Sequence, residues 1–223
     1  MPDSCPNRRG FLLPAALTLA AVAALSVDLP IAMAFKRWNG IAGVGSYLTC
    51  LDMLALFGHG LGVVLALAAV HQLDPARRWA MPRLLACALA AGGAADLLKM
   101  LIIRSRPESI SLAFDGSVWA TFGQWWPMLR NISDTQSFPS GHTATAAGLA
   151  AALIWLYPQG RWLFTLLVVL VGCQRIVSGA HFPSDVLIGG AAGSLAAMFF
   201  LRVGRLPVWF DRWESHWRKS DRR

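Results

Sequence analysis

Six long apolar runs, separated by short polar breaks, set the character of this chain. They cover residues 11–27, 47–71, 84–105, 140–157, 161–178 and 183–202. A hydrocarbon core of about 30 Å is spanned by roughly 20 helical residues. The pattern therefore predicts an all-α, polytopic membrane bundle of about six transmembrane helices, with residues 1–223 forming one domain. Asp28-Leu29-Pro30 ends the first run, and residues 31–46 read as an interfacial turn and short helix outside the membrane. Residues 72–83 carry Asp74, Arg77, Arg78 and Arg83 and read as a cytoplasmic loop. Residues 107–138 form one long loop, rich in Pro, Gly, Ser and Asn and holding Trp119, Trp125 and Trp126. Loops of that length in compact proteins usually carry function. Pro183 suits the first position of the last helix. The small residues 90–95, with Gly189, Gly190 and Gly193, predict close helix contacts.

The first run admits three readings. Arg8-Arg9-Gly10-Phe11-Leu12 resembles a twin-arginine export signal, and a cleaved secretory signal also fits. The third reading, a transmembrane helix with cytoplasmic arginines, is preferred because further spans follow. At the other end Trp209, Trp213 and Trp217 recur every four residues among basic side chains. That pattern fits a helix on the cytoplasmic membrane surface or a solvated tail.

Composition supports a membrane protein. The chain is 56% hydrophobic and 14% charged, with mean hydropathy +0.49, against about a quarter charged in soluble domains. The net charge of +8 raises nucleic acid as a partner. The basic residues argue against it, because they form no single footprint. With both termini inside, thirteen of the twenty Lys and Arg fall on cytoplasmic segments, as the positive-inside rule requires. Cys5, Cys50, Cys87 and Cys173 lack metal or redox spacing, and those inside apolar runs read as small buried hydrophobes.

Polar residues at the ends of apolar runs are costly and point to function. Lys99 precedes Arg106-Pro107 by six intervening residues. Pro139-Ser140-Gly141-His142 opens the fourth run. Arg175, His181 and Asp185 follow at x5 and x3 spacing. Alternating the spans brings all three clusters to the outer face. Lys99 and Arg106, two helical turns apart if the helix continues, would share a face. Three cations and the amino end of a helix form a site for phosphate, with Ser140 capping the helix or donating to the anion and Gly141 admitting close approach. His181 and Asp185 are close enough in sequence to hydrogen-bond, which would sharpen His181 as a nucleophile, with His142 as acid and base. Asp52 and His59, seven apart in the second run, read as a polar pair satisfied inside the bundle. Arg104 and Arg130 read as ordinary head-group contacts.

Lys99-x6-Arg106-Pro107, Pro139-Ser140-Gly141-His142 and Arg175-x5-His181-x3-Asp185 together resemble the three-part signature of the type 2 phosphatidic acid phosphatase family. The signature spans residues 99–185. One departure is Gln174, where the family usually has Ser; its amide could still donate to phosphate. The resemblance implies a lipid phosphatase acting through a phosphohistidine on His181. His142 and Asp185 would be the other catalytic residues, and Lys99, Arg106, Ser140, Gly141 and Arg175 would bind phosphate. No cofactor or metal is expected, since no carboxylate cluster suits one. The expected partner is a phosphorylated lipid in the membrane, and the expected location is a bacterial inner membrane with the site facing the periplasm. A phosphotransferase and a non-catalytic lipid-binding relative are the alternatives. A haloperoxidase shares the motifs, but that class is larger and soluble.

Overall fold

A computed structural model describes residues 8–40, 52–125 and 136–220. Expectations about residues 1–7, 41–51, 126–135 and 221–223, including Cys5, Cys50, Trp126 and Arg130, lie outside the described residues. Eight α-helices are described: α1 Leu12–Ala24, α2 Asp28–Asn39, α3 Gly60–Leu73, α4 Met81–Lys99, α5 Gly141–Leu156, α6 Arg161–Val177, α7 Pro183–Leu201 and α8 Leu206–Ser220. A short antiparallel pair joins β1, Ile102–Arg104, to β2, Phe122–Trp125, with Arg104 opposite Phe122.

Among the described residues three helical stretches are long and apolar enough to cross a membrane singly: Pro75–Lys99, Pro158–Val177 and Pro183–Leu201. The pair α1–α2, bent by 73°, makes a fourth if taken as one span, while α3 and α5 are apolar but shorter. The continuous run expected at 47–71 is broken. A 3-10 turn, Met53–Gly58, leads to His59, whose extended backbone (ψ 156°) starts α3. Asp52 and His59 therefore do not share one helical face. The run expected at 84–105 also stops early, at Lys99. Pro107 disfavours helix at the residue before it, Arg106 is extended (φ −74°, ψ 149°), and the β-branched Ile102 and Ile103 join the strand instead. Lys99 and Arg106 thus sit on different elements.

The bundle is built around α5, which packs against α4, α6 and α7. Its alanines let neighbours approach. A Cβ at Gly193 of α7 would lie 2.1 Å from the Ala144 carbonyl oxygen, so these two backbones touch directly. The outer faces of α1, α3 and α6 expose Leu19, Val22, Val64, Trp162 and Leu163. Surfaces of that kind suit lipid rather than water. Cys87 is buried as expected, whereas Cys173 is exposed.

Two buried arginines tie the ends together. At one end Arg83 grips Glu214 of α8 with Nε at 2.8 Å and Nη2 at 2.9 Å, and also donates to Asp211 at 2.6 Å. The tail is thus a docked helix. At the other end stands Arg104, fully buried rather than in contact with head groups. Its guanidinium donates to Asp28 at 2.7 Å, to Asp185 at 2.6 Å, to Ser184 at 2.7 Å and to Thr121 at 3.1 Å. Its Cζ lies 4.0 Å from the Phe182 ring centre. Asp28 in turn accepts from the Ser184 amide at 3.0 Å. One side chain therefore links α2, β1 and α7. Arg104→Met would leave two carboxylates buried without their cation. It is expected to cost about 3–5 kcal/mol, read as a large fall in the thermal midpoint of the detergent-solubilised protein; an unchanged midpoint would refute the role.

Candidate active site

The helix ends converge at the Arg104 end of the bundle. Lys99 is the last residue of α4. Ser140 caps α5 from an extended conformation, its hydroxyl accepting from the Thr143 amide at 3.4 Å and lying 2.9 Å from the Thr143 hydroxyl. The Ser140 amide donates to the Asp185 carbonyl at 3.1 Å, which joins α5 to α7. A Cβ at Gly141 would stand 3.4 Å from Lys99 Nζ. The ammonium thus lies beside the amino end of α5, where free N–H groups and the helix dipole already favour an anion. Asp96 pairs with Lys99 at 3.6 Å from an exposed position. Arg175 comes from the last turn of α6. The charges on Arg175, Lys99 and Arg106 are close enough to act on both His142 and His181.

His181 lies in the turn before α7 and is 5% exposed. Its Nδ1 meets the Ser137 carbonyl at 2.5 Å. A carbonyl only accepts, so Nδ1 carries the proton and Nε2 keeps its lone pair. Desolvation pulls the imidazole down to about 3; the Ser137 bond opposes this, and Arg106, Arg175 and Lys99 add to the fall. The ring is neutral at physiological pH. Below pH 6.5 the unfolded chain takes up a proton that the folded ring refuses until about 3. His181 therefore costs stability as pH falls through that window.

The expected hydrogen bond between His181 and Asp185 is replaced by another arrangement. Asp185 is fully buried with both oxygens engaged. Oδ1 accepts from Arg104 at 2.6 Å, and Oδ2 accepts from Ser137 Oγ at 2.5 Å and the Phe182 amide at 2.9 Å. A carboxylate in the first turn of a helix folds back over the preceding amide, and here that geometry turns it from the imidazole. Ser137 stands between them: its hydroxyl holds Asp185 while its carbonyl orients His181. Among the hydrogen bonds of the described residues, Asp185 is connected to His181 through Ser137.

Gln174 also differs from expectation. Its Oε1 accepts from Arg175 Nε at 2.5 Å, and its Nε2 donates to Asp52 at 2.5 Å. The amide is thus spent on orienting Arg175, with Asp52 behind it. Arg106 reaches Glu108 at 3.4 Å, and its buried Nε has no partner among the described residues. A buried unpaired donor costs about 1–3 kcal/mol, which a phosphate oxygen would offset. His59 lies with its ring centre 5.8 Å from that of His142. Its Nδ1 accepts from the Leu61 amide at 3.3 Å, so its remaining nitrogen is free to donate. Among the described residues no group of three or more His, Cys, Asp or Glu converges as a metal site would. Sequence reasoning missed Asp28, Ser137 and the burial of Arg104; a lone carboxylate breaking an apolar run at Asp28 was the available signal.

The Gln174 bridge gives a kinetic expectation. Gln174→Met keeps the volume but frees Arg175. A hydrogen bond to a charged group is worth about 1.5–3 kcal/mol, so KM should rise roughly 10- to 100-fold with a smaller effect on kcat. An unchanged KM in a folded variant would refute the bridge.

The profile of the PAP2 superfamily matches residues 80–207, more than half of the chain and all three motifs. A lipid A 1-phosphatase of Rhizobium etli is 29% identical over 170 residues, covering 74% of this chain and 69% of that protein. A decaprenylphosphoryl-5-phosphoribose phosphatase of Mycobacterium tuberculosis is 30% identical over 186 residues, covering 83% and 88%. A transmembrane PAP2 type phosphatidylglycerolphosphate phosphatase from Bacillus subtilis shares the fold, with TM-score 0.58 and 19% identity over 89% of this chain and 96% of that one. The motif spacing, the converging helix ends and these relatives agree: the chain belongs to the PAP2 superfamily, as an integral membrane hydrolase of phosphoric esters or anhydrides.

Proposed function

We propose that the protein removes phosphate from a monoester or pyrophosphate on a lipid head group through a phosphohistidine on His181, without a metal ion. The observation that carries this reading is the placement of two imidazoles among three cations at the amino end of α5. Lys99, Arg106 and Arg175 meet the non-bridging oxygens, whose charge grows during transfer. The lone pair of His181 Nε2 attacks phosphorus as the bond to the lipid oxygen breaks. His142, as imidazolium, gives its proton to that oxygen. The bound phosphate offsets the surrounding cations and so favours this protonated state. His142 then takes a proton from water, whose oxygen attacks phosphorus and releases His181 and inorganic phosphate. Phosphorylated lipids named for the relatives support a lipid substrate.

The orientation is part of the proposal. Arg77, Arg78, Arg83, Arg161, Arg202 and Arg205 gather at the end away from the site, which supports a cytoplasmic end there and an outward-facing site. The bacterial sources of the relatives support an inner-membrane location.

The test is rapid acid quench and base quench with a phosphorus-labelled lipid phosphate in the presence of EDTA. An acid-labile, base-stable protein label is expected, absent in His181→Ala, which should lose turnover while keeping its thermal midpoint. His142→Ala should lose about 10²–10⁴-fold. Because His181 stays neutral down to about 3, attack should not fade between pH 7 and 5 through this ring. Inversion at phosphorus without a protein label would refute the two-step scheme.

A further inference from the structure

The segment that breaks the second apolar run brings to the site one imidazole that the phosphoryl chemistry above does not use. Gly58 packs so closely on the start of α5 that a Cβ there would lie 2.3 Å from the His142 carbonyl oxygen. His59 follows, and its ring centre stands 5.8 Å from that of His142 with the planes 32° apart. The side chain is exposed, so a ligand can reach it. Its tautomer is set locally. His59 caps α3 from extended backbone, and its Nδ1 accepts from the Leu61 amide at 3.3 Å. The ring proton is therefore on Nε2. At its other end the same segment places Asp52 on Gln174 beside Arg175. Lys99, Arg106 and Arg175 bear on both His142 and His181. His59 bears on His142 ahead of Lys99 and Arg106 and is not among the leading influences on His181. It thus stands on the His142 side of the pocket.

We propose that His59 contacts the inner phosphate of a lipid pyrophosphate and so sets a preference of the site for pyrophosphates over monophosphates. The inference rests on the phosphatase reading and deepens it by naming the substrate class and the residue that selects it. In that reaction the terminal phosphorus lies between His181 Nε2 and the bridging oxygen, and His142 gives its proton to that oxygen. The inner phosphate leaves with the lipid, so it lies on the His142 side. The three cations meet the terminal phosphoryl oxygens, while charge builds on the leaving phosphate as the bridging bond breaks. His59 Nε2–H donates a hydrogen bond to one of its non-bridging oxygens. No proton is transferred there, and His59 keeps the tautomer that the Leu61 amide imposes. An N–H···O contact is about 2.9 Å long, so two rings at this separation can meet the bridging oxygen and its neighbour on the same phosphorus. A neutral donor suits the position. Its bond strengthens as the oxygen gains charge, yet it holds the departing lipid monophosphate less tightly than a fourth cation would. A monophosphate of a plain alcohol offers His59 no such oxygen.

Two substitutions separate the cap from the contact. His59→Asn keeps an acceptor for the Leu61 amide, so α3 stays capped, but its amide stops short of the Nε2 position. His59→Gln carries an amide N–H to the Nε2 position and gives up the cap. Hydrolysis of farnesyl pyrophosphate and farnesyl phosphate, which share one chain, is measured on the full chain in detergent, together with the thermal midpoint. His59→Asn should keep the midpoint. Its kcat/KM for farnesyl pyrophosphate should fall about 10- to 100-fold, as loss of a hydrogen bond to a charged group does, and the ratio of the two substrates should fall about tenfold or more. His59→Gln should lower the midpoint yet recover most of that kcat/KM and of the ratio. An unchanged ratio in His59→Asn would overturn the assignment. So would a larger kinetic loss in His59→Gln than in His59→Asn, which would leave only the cap. Should the unsubstituted protein cleave farnesyl pyrophosphate alone, recovery in His59→Gln supports the contact and its absence overturns it. Cleavage of farnesyl phosphate or dioleoyl phosphatidic acid without farnesyl pyrophosphate would also overturn it. If the unsubstituted protein released phosphate from none of the three, the phosphatase reading itself would fall.

Discussion

The site depends on a cation that never meets the substrate. Arg104 is fully buried, and so are its partners Asp28 and Asp185. Taking three charges out of water costs several kcal/mol per ion, and mutual attraction recovers it only with close geometry and further hydrogen bonds. Both conditions hold here: Ser184, Thr121 and Ser137 satisfy what the ions leave over, and two aromatic rings cover the guanidinium. Such a knot adds little as a generic source of stability. Its effect is positional. It locks the start of α7 against α2 and β1, and through Ser137 it sets the carbonyl that fixes the tautomer of His181.

The same logic runs through the outer cations. Asp96 and Glu108 pair with Lys99 and Arg106 from exposed positions, and the hydrogen bonds between Asp52 and Arg175 run through the neutral amide of Gln174. Each cation is steadied without being fully neutralised. A direct Asp52–Arg175 ion pair would tie up the guanidinium that the proposed phosphate contact uses; the intervening amide holds its geometry without that pair. His181 is neutral for the complementary reason. Burial and three nearby cations disfavour its imidazolium, so the lone pair is available wherever the anion site is strong.

Much of this was legible in the sequence, and the limits have physical causes. Apolar runs and Pro183 marked α5, α6 and α7 to within a residue or two, because an all-round apolar helix needs no partner to be recognised. The three motifs marked the cationic groups, since charge at a membrane boundary is rare. What spacing could not show was which charges pair. Arg104 lies 76 residues from Asp28 and 81 from Asp185, so no local pattern joins them. The i, i+4 interval between His181 and Asp185 implied a contact, yet the turn before α7 is not helical and the carboxylate caps that helix instead. The early end of α4 has local causes in Pro107 and the β-branched Ile102 and Ile103, whereas the break at Gly58 is tertiary. A Cβ at Gly58 would lie 2.3 Å from the His142 carbonyl oxygen, so the chain turns there to let the site close, and hydropathy does not register it.

The break has a consequence for the chemistry. A straight second helix would carry Asp52 and His59 down one face, seven residues apart and about 10 Å along the axis. The 3-10 turn instead delivers Asp52 to Gln174 beside Arg175 and His59 to within reach of His142. One irregular segment therefore supplies a second wall to a pocket whose first wall is made of regular helix ends. Regular helices place backbone N–H groups and anchor cations rigidly; the irregular segment adds polar groups at angles a helix cannot present.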